Sequence, residues 1–520
     1  AEAADMDVIG QFGVGFYSAF MVSDKITVVT RKYGSDQAFR WESDGADGYT
    51  ITPCEKETVG TDVIMHIKAD GEEVNYSEFL QEHTLRNLVK KYSDYIRWPI
   101  RMEVTKSRKK ADSPEDKPEY ETYKEEETLN SMVPIWQRRK GDVTKEEYEM
   151  CYLEKFMVFA PPQSVVTVSA EGQVSYKALL FIPSRPPFDY YTTDYERGLQ
   201  LYSSGVLIMD KCPDLIGEHF GFVRGIVDSP DLSLNISREL LQHDRQLKLI
   251  ANNIEKKVKA ELERLLKEDR EGYEKFFQNF GRQLKVGCLN NYGAKRELLQ
   301  DLLLFYSSTE KKMVTLGEYV DRMKEDQKYI YYASGENAAA MDNLPQTELL
   351  RERNIEILYL TDQPDQLLVE ILRQYKDTEF RSAVDGDLGL EDVPEAKEAD
   401  QEAQDAFAFI KETLGDEVDE VRASRKLKTH PVCLTSGEGV SFEMERYFAV
   451  AQPEMGLKAK RILEVNTEHP AFAALEAART ADPEKAKKYA RVLLNQSKLI
   501  AGLPIDDPSG YTDLLCSLWS

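Results

Sequence analysis

No stretch of this 520-residue chain is apolar over the roughly 18 residues that a bilayer-spanning helix needs. Basic side chains are in the minority, 67 Lys and Arg against 92 Asp and Glu, for a formal net charge of -25. Nucleic acids and anionic membrane surfaces are gripped by basic patches, so this balance argues against both as partners. The six cysteines (Cys54, Cys151, Cys212, Cys288, Cys433 and Cys516) form no C-x-x-C pair and no cluster with histidine. Neither a zinc site nor a disulfide framework is expected, and a reducing cytoplasm is the expected compartment. No signal peptide opens the chain, but it starts at Ala1 rather than Met, so that absence excludes nothing. What is present is ordinary for a globular protein: 42% hydrophobic residues for cores, 31% charged residues for solvated surfaces, and length for three or four domains.

Three glycines in six residues, Gly10, Gly13 and Gly15, stand in the run Ile9-Gly10-Gln11-Phe12-Gly13-Val14-Gly15-Phe16-Tyr17-Ser18-Ala19-Phe20. Glycines let the backbone approach a ligand without Cβ clashes, and the apolar Phe16, Tyr17, Ala19, Phe20 and Met21 that follow predict a buried helix. A glycine loop feeding a helix N-terminus suits a phosphate. The G-x-x-G-x-G spacing matches neither the dinucleotide fingerprint nor a P-loop. On the glycines alone, a tight turn packed on a helix competes with a phosphate cradle.

The full twelve-residue string resembles the glycine box of the 90-kilodalton heat-shock-protein chaperones, within the ATPase superfamily that also holds gyrase and histidine kinases. That resemblance implies that Gly10, Gln11, Phe12, Gly13, Val14, Gly15 and Phe16 close over the phosphates of ATP. In the family, a general-base Glu, a magnesium-binding Asn and a D-x-G-x-G adenine reader precede the box. Only nine residues precede Gly10 and no D-x-G-x-G occurs downstream. The expectation is a chain lacking the first half of the N-terminal ATPase domain, with the Mg2+ ligand upstream and no metal site of its own.

Along the chain, β-rich runs at Lys25–Arg31, Ala38–Glu42, Tyr49–Pro53 and Thr61–Ile67, separated by Gly/Asp turns, predict a meandering sheet. Thr61 lies where the family's Gly-Thr pair nears the nucleotide; a plain β-branched strand residue is the competing reading. Helical spacing of Phe79, Leu85, Leu88, Val89, Tyr92 and Ile96 predicts a helix over Glu78–Ile96, then a strand over Pro99–Thr105. Lys106–Glu127 is dense in both charges and nearly free of apolar residues, the composition of a solvated linker. Its modest length, and a C-terminus without an acidic tail, resemble the bacterial type of the family.

Phe181-Ile182-Pro183-Ser184-Arg185-Pro186-Pro187-Phe188-Asp189 and Phe222-Val223-Arg224-Gly225-Ile226-Val227-Asp228-Ser229 resemble the family's middle domain. The second chemical motif is Asp231-Leu232-Ser233-Leu234-Asn235-Ile236-Ser237-Arg238-Glu239-Leu240-Leu241-Gln242. Ser237 is a good N-cap for a long helix carrying Leu247, Ile250, Ile254, Val258, Leu262 and Leu265 on one face. Arg238 then sits in the first turn, where a cation opposes the helix dipole. Either it reaches a phosphate or it pairs with a carboxylate such as Asp231 or Glu239. The resemblance implies the first: Arg238 on the γ-phosphate, Gln242 assisting, Asn235 shaping the loop.

Strand–helix–strand patterning spans Tyr329–Ala333, Glu336–Glu352 and Ile355–Leu360, with a break expected at Pro345. Asp385–Glu402 reads as a second linker or a solvated helix face. Helices over Pro483–Ile500 and Tyr511–Trp519 have little chain left to cover them, which predicts a bundle with a second copy, and the family does dimerise through this end. Val440, Met444, Tyr447 and Phe448 fall on one helical face if Ser441–Val450 is helical, which makes them a client-binding surface or an ordinary core stripe.

The fold expectation is therefore α/β (α+β): 1–105 the second half of a gyrase/histidine-kinase-type ATPase sandwich, 106–130 a charged linker, 131–390 an α/β middle domain, 391–520 a mainly helical dimerisation domain. The function expected from the resemblance is an ATP-dependent chaperone acting on unfolded or partly folded proteins as a homodimeric clamp. The alternative is an ATP-independent dimeric protein-binding module. A topoisomerase or histidine kinase shares only the glycine box.

Overall fold

The computed structural model describes residues 15–72, 74–109, 120–203, 205–232, 245–335, 337–384, 387–390, 401–437 and 439–519. The chain divides into two compact units, residues 1–217 with 221–256, and residues 218–220 with 257–520.

The first unit opens with a 3-10 helix, Gly15–Met21, leading into β1 (Ser23–Arg31), β2 (Ala38–Ser43), β3 (Thr50–Cys54) and β4 (Gly60–Ile67). Only three of these strands meander. β4 returns to the free edge of β1, giving the order β3-β2-β1-β4, all antiparallel. The return places Met65 opposite Ile26 and Val63 opposite Val28, cross-strand apolar pairs that a plain meander would forgo. Ile26 is the fully buried centre of the sheet.

The expected buried helix is not buried. No residue of Gly15–Met21 is, and Tyr17 and Met21 are largely exposed. Its Phe16 ring meets Trp41 of the sheet edge-on at 5.5 Å. The expected single helix over Glu78–Ile96 is also split. Gln81 is extended, separating a 3-10 turn, Tyr76–Leu80, from α1 (Glu82–Tyr92).

Where a solvated linker is expected, β5 (Arg101–Lys109) pairs antiparallel with β6 (Tyr120–Thr128) through nine residue pairs. The alternation that keeps apolar residues out also sets opposite charges across the ladder: Glu103 to Lys124 at 2.7 Å, Lys106 to Glu125 at 3.2 Å, Arg108 to Glu121 at 2.6 Å. Each exposed pair contributes only a few tenths of a kcal/mol, but Val104 is buried beneath them and Arg86 of α1 ties down Glu127 at 2.8 Å.

A capping box between Thr144 and Glu147 starts α2 (Lys145–Phe156). It packs on a five-stranded sheet of β7 (Pro162–Ala170), β8 (Tyr176–Pro183), β9 (Leu199–Ser203), β10 (Val206–Cys212) and β11 (Arg224–Asp228). Their order is β10-β9-β11-β8-β7, with β9 and β11 parallel. Trp136, Tyr148, Tyr152, Leu179, Phe181 and Ile226 form its core. In α3 (Arg245–Glu268), all six residues of the expected stripe, Leu247 to Leu265, are buried.

The second unit continues with α4 (Arg270–Gly293), α5 (Arg296–Leu299), β12 (Leu304–Ser307), β13 (Met313–Thr315), α6 (Leu316–Asp321), β14 (Tyr329–Ser334), α7 (Ala338–Asp342), α8 (Glu348–Glu352), β15 (Leu358–Leu360), α9 (Asp365–Leu372), β16 (Gln374–Tyr375) and β17 (Thr378–Ser382). The six strands form one sheet in which β14 lies parallel to β15 and β17. The helical stretch between β14 and β15 breaks at Asn343–Leu344, just before Pro345, as proline demands. Leu388, expected in a linker, is instead buried in this subdomain's core, and Tyr331 Oη donates to its carbonyl at 2.6 Å.

The remaining elements are α10 (Gln401–Leu414), β18 (Glu420–Ala423), β19 (Val432–Ser436), α11 (Phe442–Ala451), β20 (Arg461–Val465), α12 (Pro470–Ala481), α13 (Pro483–Ile500) and α14 (Pro508–Cys516). The strands run β18-β20-β19. The last helix starts three residues before the expected Tyr511, because Asp507 caps it by accepting from the Gly510 N–H at 2.9 Å and Pro508 fits its first turn.

Candidate functional site

Gly10, Gln11, Phe12, Gly13 and Val14 lie outside the described residues. Gly15 and Phe16 are described and open the 3-10 helix. Among the described residues, nothing lies within 4 Å of where a Cβ on Gly15 would project. Phe16 rests on Trp41, which stacks on Tyr49 with ring centres 6.0 Å apart. Gly45, at φ +85°, passes so near Phe20 that a Cβ would sit 2.9 Å from its ring; only glycine allows that approach. Thr61 is exposed on β4, and its hydroxyl is engaged with that of Thr30 on β1 at 2.8 Å. Among the described residues no group of three His, Cys, Asp or Glu side chains is placed to hold a metal ion. The space beside the Gly15 backbone is thus open among the described residues, as a glycine turn that meets a phosphate requires.

Asn235, Arg238 and Gln242 lie outside the described residues, as does Ser237. The segment that delivers them is described as far as Leu232, and it is held tightly. Asp228, at the end of β11 and 3% exposed, accepts through Oδ2 from Trp136 Nε1 and Gln137 Nε2, both at 3.0 Å. Ser229 donates its hydroxyl to the Ser175 carbonyl at 2.7 Å, and the Ser175 N–H donates to Asp231 Oδ2 at 2.6 Å. Ser203 Oγ then bonds the carbonyl of buried Leu232 at 3.1 Å. One oxygen of Asp231, a carboxylate weighed as a partner for Arg238, is thus already taken by backbone. These partners stand 29 to 92 residues apart in sequence, so spacing along the chain carried no signal for them. Only the Asp-Ser pair closing a strand marked the place.

The stripe of Val440, Met444, Tyr447 and Phe448 does fall on a helix and its entry, since Ser441 caps α11 by accepting from the Met444 N–H at 3.1 Å. Val440 packs partly buried against the core below, whereas Met444 and Phe448 are half-buried. Tyr447 is within α11. Met444 borders a cavity of about 940 Å3 shared with Arg381, Arg422, Arg425, Gln366 and Glu464. Glu464 is almost fully buried there, bonded by Arg422 at 2.8 Å, Ser424 at 3.0 Å and Thr435 at 3.3 Å. Phe442, outside the expected stripe, is the deeply buried anchor of this helix.

At the C-terminal end, the two helices expected to be uncovered differ. Ala486, Ala490, Val492, Leu493 and Leu494 of α13 are buried within the same chain, most of them in a core shared with α10, α12 and β19. α14 has no buried residue, and Trp519 beyond it is 87% exposed. The 14-residue α10 and the sheet supply the cover that sequence patterning did not foresee. No described helix is long and apolar enough to cross a membrane.

Comparison with known proteins gives one family. The family model described as Hsp90 protein matches residues 78–126 and 103–519. The Chaperone protein HtpG of Clostridium perfringens (strain ATCC 13124) is 52% identical over 512 residues, covering 98% of this chain and 82% of that protein. Proteins of the same name from Clostridium botulinum (strain Langeland) and Clostridium acetobutylicum are each 53% identical, over 515 and 514 residues, with 98% and 99% of this chain and 82% of each relative covered.

Proposed function

The chain belongs to the Hsp90 family, and on that premise we propose that it is a molecular chaperone working as an ATP-driven homodimeric clamp on unfolded or partly folded proteins. The observation that carries this reading is the match to chaperone relatives along nearly the whole chain, at 52% identity over 98% of its length.

ATP would supply the free energy that alternates the clamp between open and closed states. Gly10 to Phe16 would grip its phosphates through backbone N–H groups. Thr61 would add a contact from the sheet. Arg238 would neutralise charge on the γ-phosphate, Gln242 would assist it, and Asn235 would shape the turn that carries both. Charge-neutralising arginines of this kind are worth about 10³–10⁵ in rate in other phosphoryl-transfer systems. The Asp228–Asp231 network supports this reading, because a side chain that must arrive at one oxygen needs a rigid base. Clients would meet Val440, Met444, Tyr447 and Phe448, where a half-buried, deformable Met edges a cavity.

The test follows aggregation of a thermally unfolding client by light scattering, with and without ATP. Nucleotide affinity and turnover are read in the complete gene product for wild type and Arg238→Ala. Slowed aggregation is the expected result, with turnover lost and affinity kept in Arg238→Ala, the mark of a contact made in the transition state. A client that aggregates at its own rate overturns the chaperone reading. Protection indifferent to ATP and to Arg238 leaves an ATP-independent binding module instead.

A further inference from the structure

The first unit holds a cavity of about 1010 Å3 whose lining includes no residue of the glycine helix and adjoins the Asp228–Asp231 network through Trp136 and Tyr202. Lys155, in the last turn of α2, reaches into it among three aromatic side chains. Its Nζ lies 5.0 Å from the ring centre of Tyr95, 5.3 Å from Tyr202 and 6.0 Å from Trp136. It donates to Tyr202 Oη at 2.9 Å, with Tyr95 Oη at 3.5 Å. It makes no ion pair among the described residues. Three cations on the same cavity wall are different. Lys90 pairs with Asp94 at 3.0 Å, Arg138 with Glu147 at 3.1 Å and Lys211 with Glu196 at 3.0 Å.

An ammonium group in such a cage has given up water without gaining a carboxylate. Ring faces and phenol oxygens return part of that loss, but burial favours the uncharged amine. Burial is the largest influence on Lys155 and holds its pKa below the ordinary lysine value. Cys151 and the charges of Asp94 and Asp210 oppose that shift, and Lys90 adds to it. Cys151 also lines the cavity, one helical turn earlier, and is the obvious competing nucleophile. The same burial pushes its thiol up to about 11, which leaves it protonated and unreactive. Lowered at the amine and raised at the thiol, reactivity in this cavity belongs to the lysine.

We propose that Lys155 is an acyl-acceptor site, modified by small anionic acyl donors of the acyl phosphate class that enter this cavity. Lys90, Lys91, Arg138, Lys211 and Arg224 along the wall outnumber its carboxylates, Asp94, Glu147, Glu154 and Asp210, and this small positive excess favours an anionic donor. The free amine of Lys155 attacks the donor's carbonyl carbon, a C–N bond forms, the C–O bond to phosphorus breaks, inorganic phosphate leaves, and the amine proton passes to water. The amide that results is neutral, so its burial no longer disfavours it, and its remaining N–H can still donate to Tyr202 Oη.

Acetyl phosphate is the probe. The full folded chain is incubated with it between pH 7 and 9.5, and acetylation is followed site by site with mass spectrometry. Lys90 and Lys211 of the same cavity serve as internal references, and the reaction is repeated on the urea-unfolded chain. The expected result is acetylation of Lys155 several-fold faster than of either reference near pH 7.5. Its rate should level off at a lower pH than theirs, and the advantage should vanish in urea. Equal or slower modification of Lys155 in the folded chain overturns the proposal. So does an advantage that survives unfolding, since local sequence rather than the cage would then be its cause.

Discussion

Glu348, in the first turn of α8, ties the βαβ subdomain to the loop before β19. Its carboxylate accepts from the Lys428 N–H at 2.6 Å, the Thr429 N–H at 3.1 Å, the Thr429 hydroxyl and His430 Nδ1. Burial alone would raise its pKa, but the bonds from Thr429, Lys428 and His430 outweigh burial and bring it from 4.5 down to about 2. Its side chain is only 9% exposed, so solvent screening removes little of this effect. At about 1.36 kcal/mol per unit, the shift corresponds to about 3 kcal/mol of stability. A depressed carboxylate pKa contributes fully above the unfolded value and is lost as pH falls through the folded value. The window therefore runs from about pH 4.5 down to about pH 2. Glu348→Gln keeps the shape and removes the charge, and should weaken local protection by about 2–3 kcal/mol at neutral pH. Hydrogen exchange of the Lys428 and Thr429 amides reads this directly, without assuming that a chain of two units unfolds in one step. The gap between wild type and variant should hold steady from pH 7 to 5 and narrow below about 4.5. A gap that is absent at pH 7, or that already closes between pH 7 and 5, refutes the reasoning.

Asp228→Asn can keep one oxygen for both buried donors, but it removes the charge that strengthens both bonds and buries an N–H₂ where Oδ1 has no hydrogen-bond partner. A loss of about 1–3 kcal/mol is expected, seen as faster exchange over residues 228–232 and a shifted Trp136 fluorescence; unchanged protection would show that the loop base is held elsewhere. If the C-terminal end carries the dimer, light scattering should find a dimer for the whole chain and a monomer for one ending at Asp392. Trp519 should become shielded from a collisional quencher as protein concentration rises. A dimer that survives the truncation, or a Trp519 equally quenched at all concentrations, moves the interface away from α14.

Helical periodicity was the most legible feature of the chain. The stripe from Leu247 to Leu265 is buried throughout α3, and the break before Pro345 lies where a missing N–H requires it. Strands β1 to β4 were legible too, as β-branched runs between Gly/Asp turns, whereas the return of β4 to β1 was not. Pairing depends on which edge is free once the first three strands have met, and that is not written into any one strand. Composition misled at β5 and β6, because charge density predicts solvation only when the charges lack partners; here each strand supplies the other's.

The functional motifs were legible as words. Gly10 to Phe16 and Asn235 to Gln242 name a family by their order, and that is a property of the sequence by itself. So are the acidic balance and the want of a long apolar run. The tertiary structure alone decided that Asp228, Trp136, Ser175 and Ser203 hold the base of the second motif, that Glu348 meets a loop 80 residues away, and that α13 is covered while α14 is not. It alone also decided that Lys155, one lysine among many on paper, lies in an aromatic cage with no ion pair among the described residues. A motif is read along the chain, where neighbours are given. Burial, pairing and the pKa values that follow from them depend on residues that only folding brings within a few ångströms.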